Sequence, residues 1–322
     1  MTDRPTPPPI EPIDLRGVRT YPLADRPSKV AAAGFAETWT AGGSLTAFLE
    51  RLPDMLAAAD LKAVIAAIAD AHQKSRPVIF GMGAHVIKVG LNPLVIDLME
   101  RGVITGVAMN GAGVIHDTEL AMTGRTSEEV GPALDDGSFG MAAETSAVIA
   151  AALEAADGER VGLGRAVGLT LLSAPFPFGN RSILAAGARL GLPVTIHVAI
   201  GTDIIHMHPE FNAARTGAAS HIDFRILTSQ VACLEGGVYI NAGSAVILPE
   251  VFLKAVSLAR NLGHRLDAFT TVNLDFVRHY RPTVNVVQRP TARGGRGISL
   301  VGHHEIMLPL IAAGVIEALA GV

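Results

Sequence analysis

Short apolar runs alternate with segments of helical spacing along most of this chain. Each run is unbroken in polarity and rich in Val, Ile and Leu, which is typical of parallel strands that are buried on both faces. Strands are predicted at 77–82, 103–109, 192–200, 237–241 and 267–273. Strands that alternate with helices predict an α/β fold, with a doubly wound, mainly parallel sheet and helices on both faces.

The segments between these runs place apolar residues at helical spacing. Helices are predicted at 44–74, with breaks at Pro53 and Asp60, and at 92–102, 138–156, 182–191, 221–235, 248–263 and from Glu305. Thr126 and Glu129 have the spacing of a capping box, which predicts a short helix there. Residues 276–297 show no clear period and are predicted to be irregular.

The first 40 residues differ from the rest of the chain in their proline content. Proline fixes φ and removes a backbone donor, so this segment is predicted to be an extended arm, followed by the helical arm at 44–74. Its prolines are Pro5, Pro7, Pro8, Pro9, Pro12, Pro22 and Pro27. We expect a proline-rich arm at 1–40 and a single α/β domain at 41–322. An arm of this kind suits contacts with a neighbouring subunit, which favours a homo-oligomer.

Composition and charge exclude several classes of function. The net charge is −4, with no basic block and only three Tyr and one Trp, so nucleic acid is not expected as a partner. No apolar run reaches the length of a membrane-spanning helix, and the N-terminus lacks the pattern of a signal peptide. The single cysteine, Cys233, excludes an internal disulfide and is expected to be buried. These features predict a cytoplasmic protein that has no contact with a membrane.

Glycines and polar residues gather at the predicted strand ends. They lie in four segments, at 81–90, 110–117, 201–210 and 302–305. Ligands of a doubly wound sheet bind beyond the carboxyl ends of its strands, so these segments are expected to converge on one cleft. The candidate residues are Gly83, Ala84, His85, Asn110, Gly111, Ala112, Gly113, His116, Asp117, Thr202, Asp203, His206, His208, His303, His304 and Glu305.

The glycines in these segments have two interpretations. They allow a ligand to approach the backbone closely, but they also suit tight turns between a strand and a helix. They do not match G-x-G-x-x-G, and no acidic residue follows at the distance expected for a ribose contact. A dinucleotide would therefore have to bind differently from the standard Rossmann mode.

The histidines raise the alternative of a metal site. His206 and His208 place two imidazoles on one side of an extended segment, and His304 and Glu305 are further candidate ligands for a divalent transition metal. No H-E-x-x-H motif occurs. A metal-dependent hydrolase or lyase is therefore an alternative function, beside the interpretation that these are hydrogen-bonded loop histidines.

The order of these segments resembles the deoxyhypusine synthase family from about Leu15 to the end. LRGVRTY and GFAETWTAGGSLTAFLE resemble its opening helices, and VIFGMGAHVIKVGLNPLVIDLMERGVITGVAMNGAGVIHDTEL resembles its first βαβ unit. In that family the second strand of this unit ends in a glycine pair and an acidic cluster that contact NAD. The resemblance implies a deoxyhypusine synthase-like, Rossmann-type fold, a homotetramer, and NAD as cofactor at Gly111, Gly113 and Asp117.

The sequence departs from this family at two positions that carry its chemistry. Asn241 stands where the resemblance leads us to expect an active-site histidine. Arg289 or Pro290 stands where the resemblance leads us to expect the imine-forming lysine. A Schiff base requires a neutral primary amine, which neither residue supplies. The resemblance therefore does not extend to deoxyhypusine synthesis, and of the five lysines only Lys88 lies in a strand-end segment.

A second, weaker resemblance concerns the first half of the chain. NGAGVIHDTELAMTG is similar to the Asn-Ala-x-x-x-His-Asp segment of NAD-dependent ornithine cyclodeaminases of the LOR/SDH type. Both families begin by passing a hydride from an amine-bearing carbon to NAD. The leading hypothesis is an NAD-dependent enzyme that oxidises, or transfers a group from, a small amine, polyamine or amino acid.

In this hypothesis each candidate residue has a role. Asp203 would hold the substrate ammonium, because it resembles the acid of the family's Thr-Asp pair, which lies in the NAD and polyamine pocket. His116 with Asp117 would act as a proton-accepting pair. Asn110 to Gly113 and His303 would line the cofactor. Two alternatives remain: Asp117 as a capping aspartate beside a buried histidine, and a non-catalytic ligand-binding homologue that has kept the fold.

Overall fold

Six strands form one sheet in the computed structural model, which describes residues 9–156 and 161–321. Pro5, Pro7 and Pro8 of the predicted arm lie outside the described residues. The strands are β1 (Val78–Met82), β2 (Gly106–Asn110), β3 (Val194–His197), β4 (Val238–Ala242), β5 (Thr270–Asp275) and β6 (Arg296–Val301). The five neighbouring pairs are all parallel.

The strand order across the sheet is β3-β2-β1-β4-β5-β6. The chain therefore runs outward from β1 to β3, crosses back beside β1 at β4, and continues outward to β6. This is the doubly wound Rossmann order, and the predicted fold class is confirmed. All six strands end at the same edge of the sheet, which we call the carboxyl rim.

Helices cover both faces of this sheet. They are α1 (Leu45–Glu50), α2 (Leu56–Gln73), α3 (His85–Lys88), α4 (Asn92–Glu100), α5 (Gly111–Thr123), α6 (Val130–Asp135), α7 (Ala143–Ala155), α8 (Leu163–Ser173), α9 (Ile183–Leu190), α10 (Ala213–Ala232), α11 (Ile247–Asn261), α12 (Tyr280–Pro282) and α13 (His304–Ala320). Because strand side chains alternate between faces, Phe80 and Met82 enter one core while Ile79 enters the other, with Tyr239 and Phe252. The predicted burial of the strands on both faces follows from these two cores.

Several structured regions differ from the sequence prediction, among them α5, which was not predicted as a helix. The segment predicted to be irregular contains α12, a π-helix at Thr283–Gln288 and the start of β6. α8 was not predicted because it contains Gly164 and Gly168, which lower helical propensity. A Cβ atom at Gly164 would lie 1.9 Å from the backbone oxygen of Val194, so this glycine lets α8 pack directly on β3.

The start of the described chain is open to solvent. Residues 9–43 contain only two short 3-10 helices and bury no side chain, and they expose large apolar groups that include Ile10, Tyr21 and Trp39.

Cys233 is exposed at the end of α10, so the prediction that it is buried is wrong. None of the helices in 9–156 and 161–321 is both long and apolar enough to cross a membrane.

Candidate functional site

A cleft of about 750 Å³ opens at the carboxyl rim beside the ends of β2 and β3. We call it the β2–β3 cleft. Its walls come from α5, from the loop and helix that follow α5, and from the segment after β3 that carries Thr202 and Asp203. Lys88, at the end of α3, reaches it from the β1 side. Three of the four predicted strand-end segments therefore meet at this cleft.

The first turn of α5 lies beside this cleft and contributes Ala112 to its lining. Asn110 caps the helix, because its side-chain oxygen accepts a hydrogen bond from the backbone nitrogen of Gly113 at 3.2 Å. Gly111 follows the cap, and a Cβ atom there would lie 2.0 Å from Oδ2 of Asp203. The Asp203 carboxylate therefore rests directly on the start of α5, where the positive end of the helix dipole favours a negative charge.

Asp203 is held in place by the turn that follows it. It caps a 3-10 helix at Ile204–Met207, and its own backbone nitrogen donates to Nδ1 of His206 at 3.2 Å. The hydroxyl of Thr202 lies 3.2 Å from its Oδ2 atom. Burial raises the pKa of Asp203, against the opposing effects of His206, Thr202 and His116. A cation that enters the cleft would stabilise the ionised form of this carboxyl group.

His116 faces the same cleft and belongs to a hydrogen-bonded relay. Its Nδ1 lies 2.6 Å from Oγ1 of Thr126, and that hydroxyl donates to Oε2 of Glu119 at 2.5 Å. Because the single Thr126 proton goes to the carboxylate, Nδ1 of His116 must be the donor to Thr126. In a neutral His116 the unprotonated nitrogen is then Nε2, which has no partner among the described residues.

Glu119 anchors this relay from the third turn of α5. Its other oxygen accepts a hydrogen bond from Thr145 at 3.1 Å. Burial alone would raise the pKa of Glu119, but the neighbouring His116 and the hydrogen bonds from Thr126 and Thr145 outweigh it and lower that pKa. Glu119 is therefore an ionised acceptor, and it fixes the orientation of the His116 ring through Thr126.

Asp117 does not pair with His116, which corrects the predicted proton-accepting pair. Successive helix residues point about 100° apart, so Asp117 faces the interior and is fully buried. Its carboxylate accepts hydrogen bonds from the Ser182 hydroxyl, the Asn92 amide and the backbone nitrogens of Ile183 and Leu184. Asp117 thus caps the start of α9, as the alternative interpretation proposed.

The cleft is acidic at its polar positions and apolar elsewhere. Its acids are Asp203, Glu119, Glu128 and Glu144, and its lysine and arginine are Lys88 and Arg125. Apolar side chains, among them Ile115, Phe139 and Phe176, cover the remaining wall. The excess of carboxylates over cations favours a positively charged ligand, and the apolar wall suits an aliphatic chain.

The remaining candidates lie at the rim above β1, β4 and β5. Ala84 precedes α3, and His85 and His304 approach each other at their Nδ1 atoms with a distance of 3.0 Å. Phe276 stacks on the ring of His303 with centroids 6.0 Å apart, and it also contacts the His85 ring. The fourth predicted segment therefore meets α3 rather than the β2–β3 cleft, and His303 is separated from Asp203 and His116.

The predicted metal ligands do not form a set. His206 accepts two backbone hydrogen bonds at Nδ1, and Nε2 of His208 lies 2.7 Å from the carbonyl of Gly140. His304 belongs to the other end of the rim, and Glu305 lies beside His303 with a closest approach of 3.9 Å. Within residues 9–156 and 161–321, no three His, Cys, Asp or Glu side chains are grouped so that they could hold a metal ion. His206 and His208 are polar histidines with local hydrogen-bond partners.

The glycines expected to contact NAD are in close contact with this chain's own atoms. A Cβ atom at Gly83 would lie 2.5 Å from the backbone oxygen of Gly243, and one at Gly113 would lie 2.8 Å from the Met109 side chain. At Gly111 the same position is taken by Asp203. At these three glycines the chain itself fills the space that a Cβ atom would take, which explains why a residue without a side chain is required.

The positions at which the sequence departs from the deoxyhypusine synthase pattern lie outside the cleft. Asn241 is buried in β4, where its amide donates to Asn273 and to the backbone oxygen of Ser244. The backbone oxygen of Pro290 accepts from Arg260, which also binds the backbone oxygen of Leu266 ahead of β5. Pro290 therefore lies toward the edge of the sheet opposite the carboxyl rim, and no Schiff-base chemistry follows there.

Two hydrogen-bonded side chains of the β2–β3 cleft, Glu119 and Thr126, were not predicted as candidates from the sequence. Thr126 was interpreted as a helix cap, but the residue that precedes α6 is Glu129, without a side-chain capping bond. The available signal was the spacing of His116 and Glu119, which places both side chains on one face of a helix. Thr126 gave no signal, since the loop after α5 brings it back to that face.

No protein-family model and no curated protein match this chain. Solved structures do match it. A protein from Entamoeba histolytica that is assigned as a deoxyhypusine synthase superposes with a TM-score of 0.53 at 11% identity, over 88% of this chain and 97% of that one. A conserved protein of the LOR/SDH type from Methanococcus maripaludis S2 gives a TM-score of 0.51 at 14% identity, over 82% and 71% of the two chains.

The ternary complex of AgrE with ornithine and NAD+ has the same fold. Its TM-score is 0.50 at 12% identity, over 81% of this chain and 33% of AgrE. The chain described here thus spans about one third of AgrE. Both families named by the sequence resemblance are represented among these structures, and identities this low establish a shared fold rather than a shared activity.

Proposed function

We propose that this protein is an enzyme that acts on a small primary amine, polyamine or amino acid bound in the β2–β3 cleft. The observation that carries the proposal is the His116–Thr126–Glu119 relay, which opens onto the same cleft as the half-buried carboxylate of Asp203. Asp203 binds the substrate ammonium, and His116 accepts a proton from it. The apolar wall receives the aliphatic part of the substrate.

Asp203 supports this proposal through its surroundings. Burial has raised the pKa of its carboxyl group, and no lysine or arginine is paired with it among the described residues. An ammonium group that enters the cleft supplies the missing opposite charge and favours the ionised form. Lys88 and Arg125 lie in the same cleft and suit the carboxylate of an amino acid.

His116 supports the proposal through its tautomer. The relay leaves Nε2 of a neutral His116 unprotonated, so this atom can take a proton from the bound ammonium. The products of that step are the neutral amine and an imidazolium, whose charge the ionised Glu119 stabilises through Thr126. A neutral amine is the reactive form of such substrates, since its nitrogen lone pair is free.

NAD is supported by the fold and not by the local geometry. AgrE, which shares the fold, is recorded with ornithine and NAD+. In this chain, the Asp203 carboxylate lies directly against Gly111, one of the positions expected to contact the cofactor. We therefore propose amine binding and proton transfer for the cleft, and we derive no hydride step.

The direct test is calorimetry with 1,4-diaminobutane and ornithine as probes, and with 1,4-butanediol as their uncharged counterpart. We expect saturable binding of the amines and none of the diol. Asp203→Asn keeps the shape of the side chain and removes its charge, so it should weaken amine binding at least tenfold. The matched control is Asp97→Asn, because Asp97 pairs with Arg101 on the surface away from the cleft.

Each alternative function gives a different result in the same experiment. Equal binding by wild-type protein and Asp203→Asn would refute the amine site. A rise in the thermal midpoint with NAD alone would show that the protein binds NAD, because a ligand that binds the folded state stabilises it. Amine binding by the wild-type protein without turnover of any bound amine would indicate a binding protein. Amine turnover that is unchanged in Thr126→Val would show that the relay takes no part in the reaction.

We further propose that the protein works as a homo-oligomer, with a tetramer as the expected form and residues 1–40 as an arm that covers a neighbouring subunit. Residues 9–43 expose large apolar side chains, among them Ile10, Leu15 and Tyr21. Large exposed apolar groups of this kind are typical of interaction surfaces. Light scattering on the full chain and on a variant that lacks residues 1–40 tests this, and an unchanged mass would contradict it.

A further inference from the structure

The strongest side-chain cluster outside the β2–β3 cleft is a pair of histidines at the rim above β1 and β5. His304 is fully buried at the start of α13, and His85 begins α3 with part of its ring exposed. Their Nδ1 atoms lie 3.0 Å apart. Neither the amine site nor the relay of His116 uses them.

A backbone carbonyl fixes the hydrogens of this pair. Nε2 of His304 lies 3.1 Å from the backbone oxygen of Leu274, an atom that only accepts hydrogen bonds. Nε2 of His304 must therefore carry a proton, which leaves Nδ1 of a neutral His304 as an acceptor. The His85 Nδ1 that contacts it must then be the donor.

This arrangement decides which nitrogen of His85 is basic. With Nδ1 protonated, the lone pair of a neutral His85 lies on Nε2. Nε2 of His85 has no hydrogen-bond partner among the described residues, and it is not fully buried. It is open to a molecule bound at the rim, beside the exposed rings of Phe276 and His303.

We propose that His85 is a second proton acceptor of this rim, with Nε2 as its acceptor atom, and that His304 is the positioning residue that fixes its tautomer through the carbonyl of Leu274. Its ligand is a bound group that offers an N–H or O–H donor. This site stands apart from the β2–β3 cleft and does not depend on the amine proposal.

The surroundings keep His85 in the neutral form. Burial and the neighbouring His304 lower the pKa of His85, and Lys88 on its own helix acts in the same direction. Glu305 on α13 and Asp275 on β5 oppose this shift without cancelling it. The backbone also accommodates the pair, since Gly243 has φ of +69° and a Cβ atom there would lie 2.8 Å from the His304 ring.

Histidine-selective ¹⁵N labelling of the full chain tests this directly. A long-range proton–nitrogen spectrum at pH 7.5 reports the tautomer of each ring, and His85→Phe identifies the signals of His85. We expect protonated Nδ1 and unprotonated Nε2 at His85, and the reverse at His304. Titration should give His85 a pKa below that of free imidazole.

A variant and an internal control separate positioning from packing. His304→Phe keeps a ring against Gly243 but removes the acceptor, so His85 should revert to the Nε2–H tautomer that free histidine prefers. The His116 signals should not move, because that relay lies at the other cleft. An Nε2–H tautomer of His85 in the wild-type spectrum would overturn the proposal even if His304→Phe does not fold.

Discussion

The carboxylate of Asp203 stands where a side chain at Gly111 would have to begin. A Cβ atom at Gly111 would lie 2.0 Å from Oδ2 of Asp203, far inside van der Waals contact. The absence of a side chain at Gly111 therefore makes room for the Asp203 carboxylate. Gly111→Ala should push Asp203 out of place and weaken the binding of 1,4-diaminobutane at least tenfold, as measured by calorimetry.

Gly217→Ala is the matched control for that change. It lies within α10, and an added Cβ atom there meets nothing within 4 Å. Alanine is favoured over glycine in a helix interior by about 1 kcal/mol, so this variant should bind the amine normally and be slightly more stable. Normal amine binding by Gly111→Ala would mean that the Asp203 carboxylate does not form the ammonium site.

Asp203 also predicts that amine binding is linked to pH. Burial raises the pKa of its carboxyl group, so part of the free protein carries a proton on Asp203 as the pH falls toward that pKa. An ammonium binds only the ionised form, which means that binding releases this proton. Affinity should therefore increase as the pH rises through the Asp203 pKa and then level off.

Calorimetry in two buffers of different ionisation enthalpy measures this proton release. The observed binding enthalpy should differ between the buffers near the Asp203 pKa and agree at higher pH. Asp203→Asn, at amine concentrations that still saturate it, should lose the difference. A buffer-independent enthalpy over the whole range for the wild-type protein would rule out this linkage.

The sequence predicted the sheet well because a buried parallel strand leaves a local signal. The runs around Phe80, Met109 and Tyr239 are apolar on both faces, and each became a strand. β6 was missed because Arg296 and Val301 are exposed, so its run is mixed in polarity. Only five strands were therefore predicted, although the fold class was correct.

The sequence predicted which segments meet at the candidate site, but it did not predict which side chains pair there. Gathering strand-end polar residues placed His116 and Asp203 at one cleft, because parallel strands end at one edge. The partner of His116 could not be read from its neighbour in sequence, since Asp117 turns toward the interior. Thr126 reaches the relay only through the course of the loop after α5, which the sequence pattern does not encode.

Asp117 gives a prediction about stability. Asp117→Ala removes a buried acceptor and leaves four donors without their partner, from Asn92, Ser182, Ile183 and Leu184. Each unsatisfied buried donor is costly, so the free energy of unfolding should fall by roughly 3 kcal/mol or more. Urea unfolding followed by circular dichroism measures this loss.

Two milder variants frame that result. Asn92→Ala removes one donor to the Asp117 carboxylate and the donor to the backbone oxygen of Arg181, so it should cost less than Asp117→Ala. Asp97→Asn breaks an exposed ion pair with Arg101 and should cost less than about 1 kcal/mol. An Asp117→Ala protein as stable as Asp97→Asn would show that α9 does not depend on this cap.

Asp223 predicts how the stability of the fold depends on pH. This carboxyl group is buried in α10, where it accepts hydrogen bonds from the backbone nitrogens of Gly164 at 2.9 Å and Ile196 at 2.8 Å. Burial raises its pKa from 3.8 to about 7, and the hydrogen bonds only partly offset that effect. The folded protein therefore holds a proton on Asp223 over a range in which the unfolded chain has lost it.

The sign of this effect follows from proton binding. Between pH 4 and 7 the folded state binds more protons than the unfolded state, so the free energy of unfolding falls as the pH rises through this window. A shift of this size corresponds to a loss of up to about 4 kcal/mol. Asp223→Asn carries no titrating group, so the variant should lose this part of the pH dependence. Urea unfolding of both proteins at pH 5 and pH 8 measures the difference, and equal slopes with pH would show that Asp223 is ionised throughout.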